Sequence, residues 1–179
     1  MKRLNLVLGM VVLLLLAQVG VAWGLPQAEI RQGRNSIGYS IQRLDGEIKS
    51  MIFEGDFGLT PTLGLDTRYF YFEDGDDLID LNLKVKIIDD RDFNLTGLVG
   101  RQFNSNDDKT QVGMLLSQDQ SQYITLNAGV NILLDSEDSL GYSVGFDYML
   151  TRAWYLEAGF RGIAGKSDHG LTIGLRNYL

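Results

Sequence analysis

The chain has no cysteine, one histidine and only two prolines in 179 residues. Without cysteine there is no disulfide, no thiolate metal site and no lipid-acceptor residue behind an export signal, so a lipoprotein is excluded. One histidine, His169, leaves little for acid–base or nucleophilic chemistry. Ser167, Asp168 and His169 have the group types of a hydrolase relay, but neighbours in one turn do not point at one another as a relay requires, so no enzyme is expected. Basic charge is scarce as well. Once Lys2 and Arg3 are set aside with the leader described next, 14 basic residues face 23 acidic ones, a net charge of −9 that repels nucleic-acid phosphate.

Long apolar runs are confined to the N-terminus. Met1-Lys2-Arg3 precedes an apolar stretch from Leu4 to Ala22 centred on Val11–Leu16, with small residues at Ala22 and Gly24. That is the layout of a signal peptide, and it predicts cleavage at Ala22 or Gly24. The polar stretch after it carries no basic stop-transfer flank. Residues 1–24 are therefore expected to be the signal, 25–35 an N-terminal periplasmic segment, and 36–179 a single domain.

From Ser36 onward apolar residues alternate with polar residues or glycine, the two-residue period of a strand with unlike faces. The pattern recurs about ten times, over 36–44, 47–59, 62–72, 78–88, 93–103, 110–117, 122–134, 140–150, 154–163 and 169–178. Turn-forming clusters such as Asp45-Gly46, Thr60-Pro61 and Asp89-Asp90-Arg91-Asp92 separate the runs. Both prolines, Pro26 and Pro61, avoid strand interiors. About 15 residues per strand and turn suits strands of about 9–11 residues that cross a membrane at a tilt. A sheet in hydrocarbon must close, because no unpaired backbone group can face lipid. The expected fold is all-β: a closed antiparallel up-and-down transmembrane β-barrel of about ten strands, with eight as the alternative.

Alternation alone allows either face to look inward, and a soluble periplasmic lipocalin-like barrel around an apolar ligand is the competing reading. Three features favour an apolar exterior. Glycines fall repeatedly on the polar face, where a crowded interior needs their missing side chains. That face also carries Glu54, Asp56, Asp66, Asp80, Asp147 and Glu157 against Arg68, Lys84, Lys86, Arg161 and Arg176, a near-balanced set suited to mutual pairing in a confined lumen. Aromatics gather toward strand ends, with Tyr69, Tyr71 and Phe103 at one rim and Phe93, Tyr148, Trp154 and Tyr178 at the other, as in lipid-interface girdles. If both termini are periplasmic, the acidic loops lie on the outer side. Among them Asp74, Asp76 and Asp77 are the oxygen donors a calcium ion would use, although no full ligand pattern is present.

On these residues the chain resembles the small bacterial outer-membrane β-barrels, OmpX-like in size. The last strand, His169 to Leu179, is similar to the C-terminal assembly signal of that class but ends on Leu179 instead of an aromatic. Glu157-Ala-Gly-Phe-Arg161 followed by Ala164-Gly-Lys166 resembles the YfaZ-like predicted porins. The resemblance implies a monomer in the outer-membrane bilayer, inserted by the barrel assembly machinery, without cofactor or nucleic-acid partner. It also implies either a structural barrel or a narrow porin-like channel with a salt-bridged lumen. Ten strands sit near the size at which side chains fill the interior, whereas wide aqueous channels need about 16.

Overall fold

Ten antiparallel strands close into one barrel in a computed structural model that describes residues 27–44, 47–73, 75–91, 93–105, 108–134, 139–163 and 169–179. They are β1 (Asn35–Leu44), β2 (Glu47–Gly58), β3 (Leu63–Phe72), β4 (Leu78–Asp89), β5 (Phe93–Asn104), β6 (Lys109–Asp119), β7 (Ile124–Leu134), β8 (Ser139–Met149), β9 (Trp154–Ile163) and β10 (Gly170–Tyr178). Each pairs with its neighbours in sequence, and β1 closes on β10 from Ser36–Tyr178 to Leu44–Gly170. No described strand edge is left open, which meets the requirement of a sheet in an apolar medium. The ten expected strands are all present, with ends displaced by no more than two residues. Residues 1–24, expected to be a signal peptide, lie outside the described residues.

Three of the four turns at the end that carries the termini share one chemistry. Thr60 Oγ1 accepts the Leu63 amide at 2.9 Å, Ser121 Oγ accepts that of Ile124 at 3.2 Å, and Thr151 Oγ1 accepts that of Trp154 at 3.1 Å. A hydroxyl three residues before the next strand thus satisfies a backbone donor that the ladder leaves over. The turn at 90–92 is shorter, and a bulge between Lys86 and Ile88 absorbs the mismatch.

The apolar face looks outward. Leu171 is 65% exposed and Ile87 56%, with Met51, Phe53, Leu81, Val130 and Ile173 likewise exposed, while Asp80, Lys84 and Arg161 are fully buried. That is the reverse of a water-soluble domain, in which charged groups are almost never fully buried. A lipocalin-like barrel needs the aliphatic face inside, so the soluble alternative fails on geometry.

Candidate functional site in the lumen

The inward face is ordered along the barrel into three zones, and cross-strand register builds them. At the middle, Glu54, Arg68, Asp80 and Gln102 are successive partners across β2, β3, β4 and β5, one step above the row Asp56, Asp66, Asn82. Arg68 grips Asp66 with two bonds, Nη2–Oδ1 at 2.7 Å and Nε–Oδ2 at 3.2 Å, and Asn82 Nδ2 donates to the same carboxylate at 3.1 Å. Gln102 Nε2 donates to Asp80 Oδ1 at 3.1 Å. Lys84 Nζ meets Asp56 Oδ2 at 2.5 Å. Arg176 of β10 links β9 to β2 past Gly38 of β1, with Nη2 at 3.2 Å from Glu54 Oε2 and Nε bonded to Glu157. Asp147 accepts from Asn127 Nδ2 at 2.7 Å. Buried charges of this kind are tolerable only when paired and hydrogen-bonded.

Arg161 is the exception in this set. It is fully buried, yet none of its three guanidinium nitrogens has a hydrogen-bond partner among the described residues. Glu54, Glu157, Asp80 and Arg68 are the charges near enough to act on it. The pairing expected of a salt-bridged lumen therefore does not extend to this residue among the described residues. Lys86 departs in another way: it reaches Asp89 Oδ2 at 2.9 Å, and Asp89 lies at the solvent-exposed end of β4. It contributes to a rim, whereas Arg68, Lys84 and Arg176 meet their carboxylates in the buried interior.

Toward the loop end the polar face gives way to apolar side chains. Ile52, Phe70 and Leu133 form a buried cluster with Phe72 and Leu78 packed against it. Ile52 and Phe70 come from β2 and β3, and Leu133 from β7 on the far wall, so the cluster spans the lumen as a septum. Sequence reasoning missed these residues because they share a face with Glu54, Arg68 and Asn131. The available signal was the loss of alternation in Tyr69-Phe70-Tyr71-Phe72 and Ile132-Leu133-Leu134, where both faces turn apolar.

The end that carries the termini is closed by the chain itself. Residues 27–34, part of the segment 25–35 expected to be periplasmic, enter its mouth. Gln27, Ala28 and Ile30 are buried, with Ala28 packed on Leu98 and Leu115 of the inner wall. Ser117 Oγ accepts the Ala28 amide at 2.8 Å, Thr96 Oγ1 donates to the Ala28 carbonyl at 2.5 Å, and Lys84 Nζ donates to the Glu29 carbonyl at 3.4 Å. The Gln27 amide donates to Asp147 and its carbonyl accepts from the Tyr178 hydroxyl. The segment turns into β1 through Gly33, at φ +76°, a backbone region costly for any residue with a side chain. A Cβ on Gly58 would lie 1.9 Å from the Arg31 carbonyl, so only glycine lets the segment approach the wall there.

Of the aromatics expected at the lipid interface, Tyr69, Tyr71, Tyr148 and Trp154 are exposed on the outer face, and Phe93 and Phe103 are partly exposed. Tyr178 is not among them. It shares the inward face with Gly174 and Arg176, lies under the Arg34 guanidinium at 4.0 Å and packs edge-on against Tyr155 at 5.0 Å. The two-residue period puts position 178 inward, and that parity overrides its place at the strand end. Of the acidic trio proposed for calcium, Asp74 lies outside the described residues, and Asp77 accepts the Tyr69 hydroxyl at 2.5 Å. Ser167 and Asp168 also lie outside the described residues, while the His169 ring packs against Phe160 at 5.7 Å.

Solved barrels share this arrangement of strands. The NanC porin superposes with a TM-score of 0.56 at 7% identity, over 81% of this chain and 100% of the other. The KdgM porin gives 0.54 at 9% identity, over 79% and 98%, and its complex with disordered oligogalacturonate gives 0.55 at 8% over the same shares. No family model and no curated sequence matches the chain. The fold is that of the bacterial outer-membrane porin barrels, here closed with ten antiparallel strands.

Proposed function

We propose that this chain is a monomeric outer-membrane β-barrel that works as a closed structural barrel. On this reading it is exported behind residues 1–24 and inserted by the barrel assembly machinery. The long-loop end then faces outward with its acidic residues, and the end holding the termini faces the periplasm. The observation that carries the reading is the filling of the lumen. Arg68, Arg176 and Lys84 are tied to carboxylates between an apolar septum on one side and the N-terminal segment on the other. The cavity left at mid-height beside Arg68, Gln111 and Asn131 is about 20 Å³, room for one water molecule. Such an interior stiffens the wall and admits no stream of solute.

Planar-bilayer recording tests this directly. The purified mature protein, residues 25–179, is expected to give no conductance steps, in bilayers where fluorescence of Trp154, its single tryptophan, is quenched by brominated lipid. Regular open-channel steps would overturn the closed reading. The narrow porin-like path is the second reading, and Arg161, a buried cation without a bridging carboxylate among the described residues, favours it. Steps whose anion preference disappears on Arg161→Gln would establish that path instead.

A further inference from the structure

The segment that closes the mouth is bound as a ligand is bound. Its backbone meets a donor and acceptor set of the kind a peptide needs: Ser117 Oγ takes an amide N–H at 2.8 Å, while Thr96 Oγ1 and Lys84 Nζ donate to successive carbonyls at 2.5 and 3.4 Å. Asp147 receives a side-chain amide, and Ala28 is seated on Leu98 and Leu115. Residues 27–30 form neither strand nor helix, so no ladder bonds hold them. Wall side chains provide the contacts, whereas the strands of the barrel are held by backbone pairing. Beside the segment remains a polar cavity of about 280 Å³, lined by Glu29, Arg31, Arg34, Asn94, Thr125 and Tyr155. Asn94 Oδ1 is buried at its wall without a donor among the described residues.

We infer that the mouth at the end carrying the termini is a peptide-binding site whose resident occupant is the chain's own Gln27–Arg34. The segment is a tethered peptide, turned in by Gly33, and a free peptide of the same chemistry competes for Ser117, Thr96, Lys84 and Asp147. The unfilled cavity and the Asn94 acceptor are the part of the site that the tethered peptide leaves vacant. This goes beyond the closed-barrel reading and is separable from it, since segment release is read by chemistry at residue 28 and lumen closure by conductance. A tether sets a local concentration in the millimolar range, so the competing peptide is needed at that level or above.

The test uses the full chain in lipid vesicles, helped by its lack of native cysteine. Ala28→Cys places a thiol in the mouth, and Arg31→Cys, at an exposed position, serves as the accessible control. The thiol at position 28 is expected to react with a water-soluble maleimide at least tenfold more slowly than the thiol at position 31. A free peptide of the sequence of residues 25–34, at millimolar concentration, is expected to speed labelling at position 28 severalfold, and the same composition in scrambled order to leave it unchanged. Equal rates at the two positions would overturn the inference, as would a rate at position 28 that is indifferent to the peptide or equally responsive to the scrambled one. If Ala28→Cys does not fold, the unsubstituted chain answers the question through its Ala28 and Ile30 methyl resonances. These shift on adding the peptide if it competes, and unmoved resonances overturn the inference.

Discussion

The two mouths of this barrel are closed by opposite means. At the loop end the seal belongs to the wall: Ile52, Phe70 and Leu133 are strand residues whose neighbours in the ladder hold them in place, and burial of their carbon surface holds the seal shut. At the other end the seal is an added segment, Gln27–Arg34, attached mainly through side-chain hydrogen bonds, with one backbone bond from the Gly33 amide to the Gly58 carbonyl at 2.9 Å and the small apolar contacts of Ala28 and Ile30. The first can open only by deforming the sheet. The second opens by breaking a handful of polar contacts, each of which contributes about 1 kcal/mol net, and by exposing the Ala28 and Ile30 side chains, without deforming the sheet. Permanence therefore resides at the loop end and exchange at the end carrying the termini, with the ion-paired middle serving both.

Substitution of that middle should produce the largest effect. Arg176→Met leaves Glu54 and Glu157 buried without their shared cation, and a loss of about 4 kcal/mol is expected in urea unfolding of the lipid-reconstituted barrel. Next, Phe70→Ala opens a cavity in the septum and is expected to cost about 3 kcal/mol by the same measurement. It should leave maleimide labelling at position 28 unchanged, which separates the two seals. If Phe70→Ala instead sped that labelling as much as a substitution at the mouth does, the contrast between the mouths would collapse. Leu83→Arg, at the centre of β4 on the outer face, is expected to destabilise by about 2 kcal/mol in bilayers. Absence of any loss in bilayers would refute a lipid-facing wall at this position. The smallest effect belongs to the mouth. Thr96→Val removes the bond to the Ala28 carbonyl, at a cost of about 1 kcal/mol in stability, and should raise labelling at residue 28 severalfold with the septum intact.

How much of this was legible in the sequence depended on whether a feature was local or was made across the barrel. Strand positions and the inward set Glu54, Asp56, Asp66, Arg68, Asp80, Asp147, Glu157, Arg161 and Arg176 follow from a period of two, which every stretch of chain carries in itself. The recurrent hydroxyl at Thr60, Ser121 and Thr151 was equally local. Partner choice was not. Arg176 meets Glu54 from the far end of the chain because β10 closes on β1, while Arg161, of the same residue type on the neighbouring strand, finds no hydrogen-bond partner among the described residues. The septum escaped notice for a related reason: Phe70 and Leu133 are apolar exceptions on a polar face, and their meaning appears only when β3 and β7 are set opposite each other. Tyr178 was misplaced by letting a strand-end position outweigh parity.

The sequence by itself determined a series of about ten amphipathic strands, with eight still open, the apolar character of one face and the lack of any cysteine chemistry, since these are properties of residue type and spacing. Only the tertiary structure decided that the lumen is filled in three zones and that residues 27–34 fold back into it. Closing the sheet brings together side chains up to 151 positions apart, and the space left at the barrel mouth is a property of the closed wall, which no single stretch of chain contains.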